Sequence, residues 1–354
     1  MTDRLKDAAG WFVLLVLTAH VMQASPVHRQ EQEDRPVRLN RIPALAFAGK
    51  SSAWLVSEDQ KKVLFTSDGG SHWNETTNDF GQVSCLDFID PRNGWLVAVD
   101  ENPAHLFRTT ASVFRTTDGG VSWKRISRPA STHLMVWQIK LTDQLHGWLV
   151  ALDSVWRSQD GGLTWQNVSP AALRGSPVKG AFLGSDAWIC TAGGMVFRTS
   201  DGGESWRSQT VNPQLDFVDI VFTDSKNGWL QTPLSNAYMG VLYRTSNGGE
   251  TWHLEPRLEN DLSLTSVSFI NEHEGWGVGQ SVIAHTFAAG SSWQLSSFDM
   301  KDWIFWTVHF SDSEHGWIVG SDNLYYTKNA GREWNPTLDL RRLSSGRESL
   351  SHRD

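Results

Sequence analysis

Thr66-Ser67-Asp68-Gly69-Gly70-Ser71-His72-Trp73 returns along the chain as Thr116-Thr117-Asp118-Gly119-Gly120-Val121-Ser122-Trp123. It returns again as Ser158-Gln159-Asp160-Gly161-Gly162-Leu163-Thr164-Trp165 and Thr199-Ser200-Asp201-Gly202-Gly203-Glu204-Ser205-Trp206. Three looser copies follow: Thr245 to Trp252 with Asn247 for the Asp, Thr286 to Trp293 with Ala288, and Thr327 to Trp334 with Asn329. A second motif interleaves with the first. Phe88-Ile89-Asp90 leads to Gly94-Trp95 and Phe222-Thr223-Asp224 to Gly228-Trp229. Phe47 to Trp54, Leu141 to Trp148, Phe182 to Trp188, Phe269 to Trp276 and Phe310 to Trp317 complete that series. Each motif occurs seven times, at spacings of mostly 40–42 residues, and together they use fourteen of the 19 tryptophans.

A repeat of that length predicts a radial or solenoid array. Within one unit, short apolar-alternating runs are broken by Gly, Asp and Asn, a period of two that belongs to strands. In the last unit these runs are residues 303–310, 316–320, 324–327 and 333–337. Four strands per unit, seven units, predict an all-β, seven-bladed β-propeller whose closure removes the open sheet edges. The Asp-Gly-Gly turn has its own chemistry: Asp accepts from the backbone of its turn and Gly supplies positive φ. Asp68, Asp118, Asp160 and Asp201 therefore read as structural rather than catalytic.

The totals narrow the function classes. A formal charge of −8 across 354 residues gives no electrostatic reason to expect a nucleic-acid partner. Cys85 and Cys190 are the only cysteines, far apart and without histidines at ligand spacing, so neither a disulfide framework nor a metal site is expected. No cofactor is called for. At the N-terminus, Arg4 and Lys6 precede an apolar run from Trp11 to Ala19 and small residues at Ala24-Ser25. Residues 1–24 read as an export signal, with an uncleaved anchor as the alternative and the sole membrane contact. The protein is then exported: periplasmic, lumenal or extracellular. Residues 25–39 read as a polar linker, 40–337 as the propeller and 338–354 as a disordered tail.

The combined pattern of Phe-x-Asp, Gly-Trp and Arg-Thr-x-Asp-Gly-Gly-x-x-Trp resembles the Asp-box, or bacterial neuraminidase, repeat. It is most similar to the photosystem II assembly and stability factors and their bacterial relatives, over roughly residues 40 to 337. The resemblance implies an exported propeller that scaffolds a membrane complex or its subunits without catalysis, so the expected partner is protein.

Three candidate surfaces follow. Arg115, Arg157, Arg198 and Arg244 precede the box in blades 2 to 5, where Phe65, His285 and Tyr326 stand in blades 1, 6 and 7. Either they form a basic arc for partner carboxylates, matching the Arg-rich patch that the resemblance implies, or each braces its own repeat. On the innermost strands, alternation points Asp87, Lys140, Lys179, Asp219 and His309 into the central channel, as a polar ligand site or as mutually satisfied charges. One layer out, Phe217 and Phe305, with Trp137, Trp306 and Trp303, form an apolar ring at the channel mouth if alternation persists; a β-bulge would make that layer core. Loop inserts near residues 100–112 (His105, Phe107, Arg108) and 231–240 (Tyr238) add binding candidates.

The competing reading is a sialidase-like glycosidase or glycan-binding propeller, suggested by Arg41-Ile42-Pro43 ahead of the first box. That chemistry needs an arginine triad and a Tyr–Glu pair. Equivalent inner-strand positions (Met135, Ser176, Asp216, Ser263, Ile304) supply no second Arg.

Overall fold

The computed structural model describes residues 44–341, except 58, 79, 100–110, 130–135, 172, 174–176, 234–239, 257–262, 297–301 and 303. Those residues form seven four-stranded antiparallel sheets, each built from four consecutive strands paired in chain order. Blade 2 is representative: Gln82–Phe88 innermost, then Gly94–Val99, Ala111–Thr116 and Lys124–Ser127. The outermost strands shrink to two residues in blades 1, 3, 5 and 6, which leaves little free edge for another chain to extend. The expected propeller is present.

The Phe, Gly and Trp of the two motifs meet at each seam between blades. Phe88 has one face against its own blade's Gly94, where any Cβ would collide with the ring. Its other face stacks on Trp54 of the preceding blade, centroids 3.5 Å apart and 9° from parallel. Trp123 of its own Asp-box closes the edge at 85°. The same arrangement gives Trp188–Phe222, Trp229–Phe269 and Trp276–Phe310 stacks of 3.6–3.7 Å. Blades 1 and 4 have Ala53 and Ala187 where the others have Gly, and there the rings stand apart: 5.7 Å for Trp317–Phe47 and 5.1 Å for Trp148–Phe182. One methyl group sets the width of the seam.

The Asp-box also works across the seam. Its Thr or Ser Oγ accepts from the second glycine N–H in all seven blades, from Gly70 to Gly331. Asp118 accepts from Thr116 Oγ1, Ser122 N and Ser122 Oγ. Asn247 and Asn329 make the equivalent backbone bonds, and blade 6 closes its turn without a carboxylate. Indole N–H groups then tie five of the blades to the next box: Trp54 to Gly119 O, Trp95 to Gly161 O, Trp188 to Gly248 O, Trp229 to Ala289 O and Trp276 to Ala330 O. A buried indole N–H needs such a partner.

The last strand departs from the expected run 333–337. The last strand runs Asn335–Asp339, and Leu340 is buried against Ala53 and Leu55 of blade 1. The ordered chain thus extends beyond residue 337, because Leu338 and Leu340 are needed to fill the seam between blades 7 and 1. That seam has no shared strand among the described residues. It is held by packing, by Phe47 stacked on His309 at 5.1 Å and by Lys50–Asp312 at 3.6 Å.

Candidate functional site

On the innermost strands the period of two is broken. Pairing skips one residue in blades 2, 3, 4, 6 and 7, at Ser84, Trp137, Val178, Thr265 and Trp306. Each bulge turns the next residue outward into core, so Phe305 is fully buried, as is Phe217 at the corresponding place in blade 5. The apolar mouth expected from Phe217 and Phe305 is therefore not present: both are interior residues. Trp137 stays half-buried, and Trp306 packs into the cluster joining blades 7 and 1.

The channel residues do converge, and they mostly satisfy one another. Asp87 of blade 2 accepts from Lys140 Nζ at 2.9 Å and from Leu141 N at 3.0 Å, both in blade 3. Lys179 lies 3.7 Å from Asp219 across the seam of blades 4 and 5. Gln138 makes a two-bond clasp with the Gly180 backbone, and Ser268 accepts from Phe310 N. His309 stacks on Phe47; burial pushes its pKa down to about 4, and the charge of Lys140 acts in the same direction. These groups stitch neighbouring blades together around the channel. Among the described residues no group of His, Cys, Asp or Glu is arranged to hold a metal ion. Cys85 and Cys190 are buried free thiols, each pushed up to about 12 by burial.

The four arginines lie elsewhere, at the seams on the Asp-box face. Each sits directly opposite the Gly-Trp indole on the neighbouring strand: Arg115 opposite Trp95, Arg157 opposite Trp148, Arg198 opposite Trp188 and Arg244 opposite Trp229. The guanidinium carbons of Arg115, Arg157 and Arg198 stand 4.8, 5.7 and 5.6 Å from those ring centroids, within cation–π range. His285 and Tyr326 occupy the same place over Trp276 and Trp317, at 4.2 and 4.6 Å. Among the described residues Arg157 alone also bonds the next box, donating to Gly202 O at 3.1 Å. That carbonyl corresponds to the one that accepts the indole N–H at the blade 1–2, 2–3 and 4–5 seams, and Trp148 Nε1 is left without a partner. Beside it, between the outer parts of blades 3 and 4, opens a groove of about 590 Å³ walled by Arg157, Asn167, Phe197, Glu204 and Trp206.

None of the four arginines is in a close ion pair among the described residues, although the Glu255 carboxylate feels the charge of Arg244, and the Nε of Arg115, Arg157 and Arg244 is buried without an acceptor. His105, Phe107, Arg108 and Tyr238 lie outside the described residues, as do Trp303, Arg41, residues 1–24 and residues 25–39. The strands on either side, Gly94–Val99 with Ala111–Thr116 and Gly228–Gln231 with Leu242–Thr245, place both inserts between second and third strands.

A family model described as "Photosynthesis system II assembly factor YCF48" matches residues 78–214, 129–253 and 206–302, more than half of the chain. The chain belongs to the YCF48 family. Among solved structures it is similar to one titled "YCF48 bound to D1 peptide", at 18% identity and a TM-score of 0.63 over 84% of this chain and 98% of that one. YCF48 from Cyanidioschyzon merolae matches at 17% identity and a TM-score of 0.62, covering 81% of this chain and 95% of that one. A GH74 enzyme from Niastella koreensis matches at 11% identity and a TM-score of 0.60, over 83% of this chain and 55% of that one. At such identities these likenesses establish the fold. No curated protein sequence matches the chain.

Proposed function

We propose that this YCF48-family chain is an exported, non-catalytic propeller that binds protein subunits of a membrane complex during assembly, with the arginine arc as its contact surface. The observation that carries the reading is the charge of the arc. Bracing the seam requires only a flat group over the indole, and His285 and Tyr326 do that without a fixed charge. Arg115, Arg157, Arg198 and Arg244 hold four permanent charges in successive blades, none in a close ion pair among the described residues although the Glu255 carboxylate feels Arg244, a surface suited to carboxylates. The channel carboxylates Asp87 and Asp219 are each committed to a lysine, which favours binding over acid–base chemistry. The related YCF48 held with a D1 peptide supports a protein segment as the ligand class.

The test is affinity capture of the tagged protein from crosslinked native membranes of its source. Recovery of a defined complex or its immature subunits is expected, and its loss in the Arg115→Gln, Arg157→Gln, Arg198→Gln, Arg244→Gln variant with circular dichroism unchanged. Undiminished capture by that variant overturns the arc; hydrolysis of a fluorogenic sialoside by the wild type overturns the non-catalytic reading.

A further inference from the structure

Three exposed aliphatic side chains lie together on the Asp-box face of blades 2 and 3, apart from Phe287 in the box of blade 6, 59% exposed. Val121 and Leu163, each directly after the second box glycine of blades 2 and 3, are 58% and 57% exposed. Leu145, in the Phe-x-Asp turn of blade 3, is 55% exposed. The same box position holds Glu204 and Glu250 in blades 4 and 5, and Ser71, Ser291 and Arg332 in blades 1, 6 and 7. The fold therefore accepts any side chain there, and the turn gives no reason for an aliphatic one.

Backbone geometry joins the aliphatic tips to the arc. Gly161 N donates to Leu145 O at 2.7 Å, and Leu163 follows two residues later. The same glycine is where Arg115 arrives from blade 2: its Nη1 stands 3.3 Å from the point a Gly161 Cβ would occupy. A guanidinium and two leucines thus meet at one box, with Arg157 at the next seam. In blades 4 and 5, Glu204 and Glu250 instead place carboxylates on the box tips that Arg157 and Arg198 reach from the preceding blades. The arc is basic and apolar at one end and mixed in charge at the other.

Resting on the arginine-arc reading of function, we propose that blades 2 and 3 form its contact end and take a protein segment presenting carboxylates beside aliphatic side chains. The Arg115 guanidinium at the blade 3 box selects the carboxylates, and Leu145, Leu163 and Val121 select their apolar neighbours, the pairing of charge and desolvated area that gives a small surface its specificity. An acidic segment is turned away from blades 4 and 5 by Glu204 and Glu250. An anionic bilayer is the other surface that arginine and leucine together would suit. The chain's −8 charge opposes it, and three of the guanidinium groups are held over indole rings rather than extended toward a plane of headgroups.

The experiment uses the full chain and a fluorescent peptide alternating aspartate with leucine, followed by anisotropy. Counterpart peptides carry asparagine for aspartate or serine for leucine. The acidic aliphatic peptide is expected to bind, and each counterpart to bind at least about tenfold more weakly. Leu145→Ser with Leu163→Ser should lose about tenfold, while Glu204→Gln with Glu250→Gln should not weaken binding. Because all four side chains are on the surface, unchanged circular dichroism is expected in both variants. If Arg115→Gln with Arg157→Gln weakens binding and the leucine variant does not, the arc stands and this inference falls. If neither pair matters, or no peptide binds, both fall. Retention on phosphatidylglycerol vesicles without peptide binding replaces the protein segment with a membrane.

Discussion

Replacing Gly228 by alanine should open one seam by an amount that the molecule itself displays. A Cβ at Gly228 would lie 2.6 Å from Cε1 and Cζ of Phe222, about 1 Å inside the separation at which two carbons attract. The ring cannot retreat freely, since Trp188 closes its other face at 3.7 Å. The seams that carry Ala53 and Ala187 show the outcome, with the stack opened to 5.7 and 5.1 Å. Losing the stack costs about 0.5–1.5 kcal/mol, and overpacking adds roughly 1–3 kcal/mol. The lower backbone entropy of alanine returns about 0.5–1 kcal/mol. A net destabilisation of about 0.5–4 kcal/mol should appear as a lower urea midpoint at unchanged slope. The near-ultraviolet circular dichroism of the stacked indole should diminish. A loss below about 0.5 kcal/mol with an unaltered spectrum would refute the claim that this glycine sets the seam. The reciprocal Ala187→Gly should strengthen the spectrum with little change in stability.

Three further predictions concern polar groups. Burial works to raise the pKa of Asp118, yet the bonds from Ser122 and Thr116 hold it at about 2; Asp118→Asn should cost little, as Asn247 shows, and Asp118→Ala about 1–2 kcal/mol by denaturant titration. The buried, lowered pKa of His309 means that the unfolded chain takes the proton first. Its contribution is therefore complete above about pH 6.5 and is lost as pH falls toward about 4; His309→Phe should flatten stability across that window, and an unchanged slope would count against the burial argument. Asp87→Ala leaves Leu141 N and Lys140 without their acceptor, and a loss of about 1–3 kcal/mol is expected in urea unfolding.

The architecture was legible because a propeller makes the same contact seven times. Phe88, Gly94, Trp54 and Trp123 each fill one place in a seam, and repetition exposes every such place in the sequence. What a single blade does differently was not legible. The bulge at Trp306 leaves no mark in apolar alternation, since a skipped residue looks the same as a continuing strand, and Phe305 was misplaced as a result. The exchange at Gly202 O, taken by Arg157 in place of Trp148, depends on seam width set by Ala187. The tips Val121 and Leu163 were written in the motif as unspecified positions; their very freedom from the turn's chemistry was the available signal that they face outward for another reason.

Every blade is one uninterrupted stretch of chain, and among the described residues the ring closes at blades 7 and 1 through side chains. The position of the chain ends is therefore an accident of where the ring was cut, rather than part of its mechanics. A circularly permuted protein, opened at another link and joined across the present gap, should assemble the same wheel.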